Sequence, residues 1–179
     1  MTNKPTSSEQ SHDNQPSLTG GADLIRSLHK EGVRVIFGLP GVQLYHAVMP
    51  LLDYPDIQFI TTRHEQATTY MADGYARASG GVGVSMIVPG PGLQNASAGI
   101  TNAFAASSRV LVICGQIERD KIGKDVGVLH EINDQLDVIR PITKWQSRIL
   151  AAKDVATTVQ TAFYQLRTGR PRPVEIEVP

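Results

Sequence analysis

From residue 20 onward, apolar positions recur with a helical period, then in short runs, then with a helical period again. Leu24, Ile25 and Leu28 predict a helix over 22–31 that Gly32 closes. Val33-Arg34-Val35-Ile36-Phe37 reads as a strand, turning at Gly38-Leu39-Pro40-Gly41. Leu44, Val48, Leu51 and Leu52 mark a second helix, ended by Asp53-Tyr54-Pro55. A strand over 57–61 then feeds a helix whose expected core face is Ala67, Tyr70, Met71, Gly74, Tyr75 and Ala78, with its stop at Gly80-Gly81. The run 82–88 is a buried-type strand breaking at Pro89-Gly90-Pro91-Gly92, and the helix after it is lined with small residues (Ala96, Ala98, Gly99, Ala103, Ala105, Ala106). Val110-Leu111-Val112-Ile113-Cys114 is another buried strand, 115–130 a surface loop, 143–149 extended and 152–167 helical. In the last strand, Val174-Glu175-Ile176-Glu177-Val178, acids alternate with apolar residues, which predicts one wet face. Strict alternation of strands and helices implies a doubly wound α/β domain, a mostly parallel sheet with helices on both faces. Residues 1–18 are polar and predict a disordered tail, leaving 19–179 as the folded domain.

Composition narrows the function. At 179 residues the chain is long enough for one sizeable core, and 41% hydrophobic with 19% charged residues is ordinary for such a domain. Seventeen basic and seventeen acidic residues cancel without a basic stripe, which argues against nucleic acid as a partner. Zero net charge gives little protection against self-association. Cys114 is alone in an apolar run, so there is no disulfide framework and a reducing compartment fits. No apolar run reaches the roughly eighteen residues a membrane helix needs, and the first residues lack a secretory pattern, so cytoplasm is the default.

Three strand-to-helix corners carry the candidate chemistry: Gly38-Leu39-Pro40-Gly41, Glu65, and Pro89-Gly90-Pro91-Gly92-Leu93-Gln94-Asn95. The fold places all three at the carboxyl edge of the sheet, where open α/β folds bind ligands. Glycines there let a flat ligand lie against backbone. Glu65 has two readings. Thr62-x-x-Glu65 has the spacing of a capping box, with Glu65 reaching back to the backbone; alternatively the carboxyl is aimed into a ligand cleft. A dinucleotide site is the rival use of Gly90-x-Gly92, but the third fingerprint position is Asn95 and the next strand ends at Cys114-Gly115-Gln116 without an acid.

Phe37-Gly38-Leu39-Pro40-Gly41, Arg63-His64-Glu65-Gln66-Ala67, Gly74-Tyr75-Ala76-Arg77-Ala78-Ser79-Gly80, Gly90-Pro91-Gly92-x-x-Asn95 and Gly115-Gln116 occur in this order. Together with Arg140-Pro141-Ile142-Thr143-Lys144 and Gly169-Arg170-Pro171-Arg172-Pro173-Val174, they resemble the N-terminal, pyrimidine-binding domain of thiamine diphosphate enzymes. The acetolactate-synthase-like group is the most similar, and the resemblance covers about residues 20–179. It implies a transferase or lyase that decarboxylates or ligates 2-oxo acids. In the family the glutamate matching Glu65 hydrogen-bonds a ring nitrogen of the aminopyrimidine and favours the imino form that removes the thiazolium proton. By the same resemblance Pro40, Gly41, Gly90, Gly92 and Asn95 line the pyrimidine pocket, while Gln116 and His130 are candidate substrate contacts.

Two departures qualify the resemblance. Acetolactate synthases carry Phe-Gln-Glu in the loop before the Arg-Pro-Ile-Thr-Lys motif, where this chain has Leu129-His130-Glu131-Ile132-Asn133-Asp134, which argues against acetolactate synthesis itself. His130 stands either as a substrate contact or as an ordinary loop histidine. The family also holds the diphosphate through Mg²⁺ with a Gly-Asp-Gly motif in a C-terminal domain, and no such motif occurs here, so no metal ligand is assigned. The expectation is half a site: a fragment without the central and diphosphate-binding domains, completed by the diphosphate-binding domain of a second chain in a homodimer or homotetramer. The alternatives are a non-catalytic small-molecule or regulatory module of the same fold, and a dinucleotide-binding domain. The remaining polar and aromatic residues have plain expectations. His29 and His46 belong to helix surfaces, Trp145 packs under the 115–130 loop, and Arg170 and Arg172 solvate a turn.

Overall fold

Short apolar runs bounded by Gly and Pro assemble into one sheet in the computed structural model, which describes residues 19–179. The expected tail at 1–18 lies outside the described residues. The strands are β1 (Val35–Leu39), β2 (Gln58–Thr61), β3 (Gly83–Ile87), β4 (Val110–Gly115), β5 (Trp145–Arg148) and β6 (Val174–Val178). Their order is β2-β1-β3-β4-β6-β5, and every pairing is parallel. The chain leaves β1 toward β2 on one side and returns to β3 on the other, so the strand order reverses between β1 and β3. Ligands of open α/β sheets bind at such a point.

Helices α1 (Gly20–Lys30) and α6 (Val155–Arg167) cover one face, packing Leu24, Leu28, Val159 and Phe163 on Met86, Ile113 and Ile176. Helices α3 (Glu65–Ser79), α4 (Pro91–Ala106) and the short α5 (Gln135–Ile139) cover the other, against Phe37, Ile87, Val112 and Cys114. Alternation along each strand divides the layers: Leu111 and Ile113 face one core, Val110 and Val112 the other.

Several expectations are corrected. The second helix is only α2 (Tyr45–Val48), flanked by 3₁₀ turns Val42–Leu44 and Met49–Asp53. Pro50 sits inside the latter and Leu52 is 80% exposed. The α3 face is also different: Thr68, Thr69, Ala72, Asp73 and Ala76 are buried, whereas Tyr70 is 43% and Met71 38% exposed. Close helix packing is the cause. A Cβ on Gly99 of α4 would lie 2.1 Å from Thr69 Oγ1, and one on Gly83 would lie 1.9 Å from Ala72 O. Only small residues fit there, and the buried hydroxyls are satisfied: Thr69 donates to Ala96 O at 2.9 Å, and Thr68 pairs with Ser85 Oγ at 2.7 Å.

The last strand has no wet face. β6 lies between β4 and β5, and Glu175 and Glu177 are fully buried. Trp145 packs on the core under α1 and α6 rather than beneath the loop. Arg172 stacks on Phe104, with its guanidinium 3.8 Å from the ring centroid, and Arg170 donates to Ser107 Oγ at 2.9 Å. His29 does lie on a helix surface, bonded to Asp56 at 2.8 Å, and His46 is exposed.

Candidate functional site

Each corner is built by local hydrogen bonding at the carboxyl ends of β1, β2 and β3. After β1, Pro40 leads to Gly41, whose carbonyl accepts from Leu44 N at 2.9 Å and starts the 3₁₀ turn. A Cβ on Gly41 would lie 2.6 Å from Val88 Cγ1, so this corner sits directly against the end of β3. After β2, the residue capping α3 is His64 and not Thr62: His64 Nδ1 accepts from Gln66 N at 3.2 Å, while Thr62 Oγ1 donates to His64 O at 3.0 Å. Glu65 begins the helix, and its side chain makes no bond back to the backbone among the described residues. The capping-box reading therefore fails.

The carboxylate is instead held from the third corner. Asn95 Nδ2 donates to Glu65 Oε2 at 2.9 Å. Between them lies Gly92, where a Cβ would come 2.6 Å from Val88 Cγ2 and 3.5 Å from Glu65 Oε1. Gly90 precedes it with φ +57° and ψ −113°, a left-handed conformation that favours glycine. A Cβ there would also lie 2.4 Å from His130 O. Gly41, Val88, Gly92, Glu65 and Asn95 thus form one contiguous wall in which any larger residue at the two glycines would collide with Val88. Glu65 is half-buried, and among the described residues its Oε1 has no hydrogen-bond partner beside that wall.

His130 reaches the same corner through its backbone. It has a φ of +70°, and its Nδ1 is buried with no hydrogen bond. The loop around it is organised by Glu131, whose carboxylate accepts from the amides of Val126, Gly127 and Val128. Gln116 directly follows β4. It is buried, its Nε2 donates to Glu177 Oε1 at 2.9 Å and its Oε1 accepts from Ile117 N at 2.7 Å, so both ends of the amide are engaged inside the protein. A cavity of about 810 Å³ has Gln43, Gln116, Arg119 and Leu129 in its wall. Neither Glu65 nor Gly90, Gly92 or Asn95 lines it, so it is separate from the Glu65 wall.

A buried polar cluster behind the third corner escaped the sequence reading. Gln135 Oε1 accepts from Gly90 N at 2.8 Å, and its Nε2 donates to Glu177 Oε1 at 2.9 Å and Gly115 O at 3.0 Å. Arg148 pairs with the other oxygen of Glu177. Burial pushes the Glu177 carboxyl above its ordinary range, opposed by Arg148, Gln135 and Gln116. Glu175 has no partner on either oxygen, and burial together with the charge of Glu177 holds its pKa well above the ordinary carboxylate range. Cys114 is pushed up for the same first reason.

The architecture is a doubly wound domain with a half-buried carboxylate beside a glycine wall where its strand order reverses. The family described as "Thiamine pyrophosphate enzyme, N-terminal TPP binding domain" matches residues 18–138, and the chain belongs to it. It is 42% identical over 166 residues to an acetolactate synthase large subunit of Lactococcus lactis, covering 90% of this chain and 28% of that protein. It is 39% identical over 165 residues to the Haemophilus influenzae acetolactate synthase large subunit, again 90% and 28%. A probable 2-ketoarginine decarboxylase of Pseudomonas aeruginosa is 39% identical over 168 residues, 92% of this chain and 29% of the relative. The chain spans less than a third of the length of each of these relatives. Among the described residues, no helix is long and apolar enough to cross a membrane.

Proposed function

We propose that this domain supplies the pyrimidine half of a thiamine diphosphate site in an enzyme that decarboxylates or ligates 2-oxo acids. The observation carrying this reading is Glu65, fixed by Asn95 and left with a free oxygen where three corners meet. When bound, the coenzyme supplies the carbon nucleophile and electron sink that such reactions need. Glu65 is the catalytic residue. Because Asn95 donates to Oε2, a proton carried by Glu65 resides on Oε1, ready to be shared with a ring nitrogen. Gly41, Gly90 and Gly92 offer a side-chain-free wall for a flat ring, Pro40 adjoins it, and His130, whose backbone lies against Gly90, is the candidate substrate contact.

The rest of the reading concerns what completes the site. Mg²⁺ and the diphosphate are assigned to a diphosphate-binding domain of a second chain, in a cytoplasmic homodimer or homotetramer. The exposed Tyr70 and Met71, with open space over Gly74, support α3 as part of the docking face.

Glu65→Gln tests the catalytic role. In the assembled holoenzyme it should slow exchange of the thiazolium proton by about a thousandfold, with the fold retained by circular dichroism. Exchange at the wild-type rate would refute the role.

A further inference from the structure

Gly90 is the most constrained residue of the site, and its amide is held by a side chain rather than by backbone. α4 has no side-chain cap at its start, and Pro91 occupies its first turn. The Gly90 N–H goes to Gln135 Oε1, 45 residues away, while Gly90 O accepts from Gln94 N at 3.1 Å. A continuous path therefore runs from Gln135 through Gly90 into the first turn of α4, which carries Asn95 to Glu65.

The other end of Gln135 is held as firmly. Its Nε2 reaches Glu177 Oε1, Gly115 O and Cys114 Sγ (3.3 Å). Glu177 in turn takes Gln116 on the same oxygen and Arg148 on the other. Gln116 and Gln135 flank the loop that contains His130, so one carboxylate pins both ends of the segment covering Gly90. Gln135 and Glu177 are fully buried, and the hydrogen-bonding atoms of Gln135 are all engaged inside the protein. Its one output toward the site is the Gly90 amide.

We propose that Gln135, locked in place by Glu177, is a positioning residue of the coenzyme site. It fixes Gly90 and, through that residue, the geometry of the Asn95–Glu65 pair. The proposal rests on the catalytic reading of Glu65. A carboxylate that must share a proton with a ring nitrogen needs placement within a fraction of an ångström, and support of this kind supplies it.

Gln135→Met is the test, since it keeps length and volume while removing the acceptor for Gly90 and the donors to Glu177. Two readouts apply. Amide hydrogen exchange at Gln94 and Asn95 should become about tenfold faster as the first turn of α4 loosens, a measurement that needs no coenzyme. Thiazolium proton exchange in the assembled holoenzyme at saturating coenzyme should fall by about tenfold. Val159→Ala, which opens the core under α6, is the control: it lowers stability and should leave both readouts unchanged. If Gln135→Met does not fold, Glu177→Gln, which keeps the size and an acceptor oxygen but loses the charge opposite Arg148, should shift both readouts the same way by less. Loss of stability with both readouts at wild type overturns the proposal, as does an equal effect from Val159→Ala. Should Glu65→Gln abolish thiazolium exchange while Gln135→Met spares it, the positioning role alone fails. Wild-type exchange in Glu65→Gln would instead remove the catalytic reading beneath it.

Discussion

Glu65, at the start of α3, and Glu177, in β6, are two carboxylates of one domain serving opposite ends. Glu65 is half-buried with a single partner, Asn95, and an oxygen left over. Glu177 is fully buried and receives Gln116, Gln135 and Arg148, which engage both of its oxygens. A carboxylate with every acceptor position engaged organises its surroundings and has nothing left for a substrate. One with a free oxygen beside a glycine wall can hold or hand over a proton. Glu175 shares a strand face with Glu177 and belongs to neither class, because it is buried without any partner.

The sharpest way to break the contrast is Glu177→Leu. It would strand the guanidinium of Arg148 and the amides of Gln116 and Gln135, and should cost about 3–5 kcal/mol, read from urea unfolding. The same substitution at Glu65 should cost no more than about 1 kcal/mol, since only the Asn95 bond is lost. A Glu177→Leu protein as stable as wild type would erase the distinction.

Glu175→Leu should act in the other direction. In the folded chain, burial and the charge of Glu177 keep Glu175 protonated well above its ordinary 4.5, with the Arg148 charge opposing them. The unfolded chain ionises at that ordinary value. Stability therefore declines as pH rises from about 4.5 toward the raised folded value, because the unfolded state loses a proton that the folded state keeps. Leucine removes both this linkage and the unpaired polar atoms. It should add about 1–3 kcal/mol at pH 8 and less at pH 5, in paired unfolding curves. An equal gain at the two pH values would mean that Glu175 does not titrate with folding.

Much of this organisation is visible in the chain before any coordinates. Apolar runs such as Val110-Leu111-Val112-Ile113-Cys114 have few places to go except the centre of a parallel sheet, and the Gly and Pro corners mark where strands stop. Long-range packing is what sequence periodicity cannot show. In α3 the helical period is right but its direction is not, because the tight approach of Gly99 to Thr69 admits a threonine and alanine face and turns Tyr70 and Met71 outward. Glu175 and Glu177 alternate like a solvated strand, yet α5 and residues 42 and 61 positions from Glu177 cover that face and supply its hydrogen bonds. A glutamine in a polar stretch carries no local sign that it will be buried, so Gln135 went unnoticed. The start of α3 stays open in the sequence for a smaller reason: His64 can cap as well as Thr62 can, and their choice depends on how the chain leaves β2.

The smallest expected change in stability, and the finest test of the contrast, is Asn95→Ala. Asn95 is exposed, and among the described residues its side chain bonds to Glu65, so its loss should alter unfolding free energy by no more than about 0.5 kcal/mol. Chemistry should respond more. Without the Nδ2 donor, either oxygen of Glu65 can carry the proton and the carboxyl can rotate, so thiazolium exchange in the holoenzyme should fall by about tenfold. Asn95→Asp separates orientation from charge, since it puts a second acceptor against Oε2 and should lower exchange further while leaving stability near that of Asn95→Ala. If all three proteins exchanged at one rate, Glu65 would need no orienting partner, and the free oxygen beside Gly92 would be an accident of a flexible side chain.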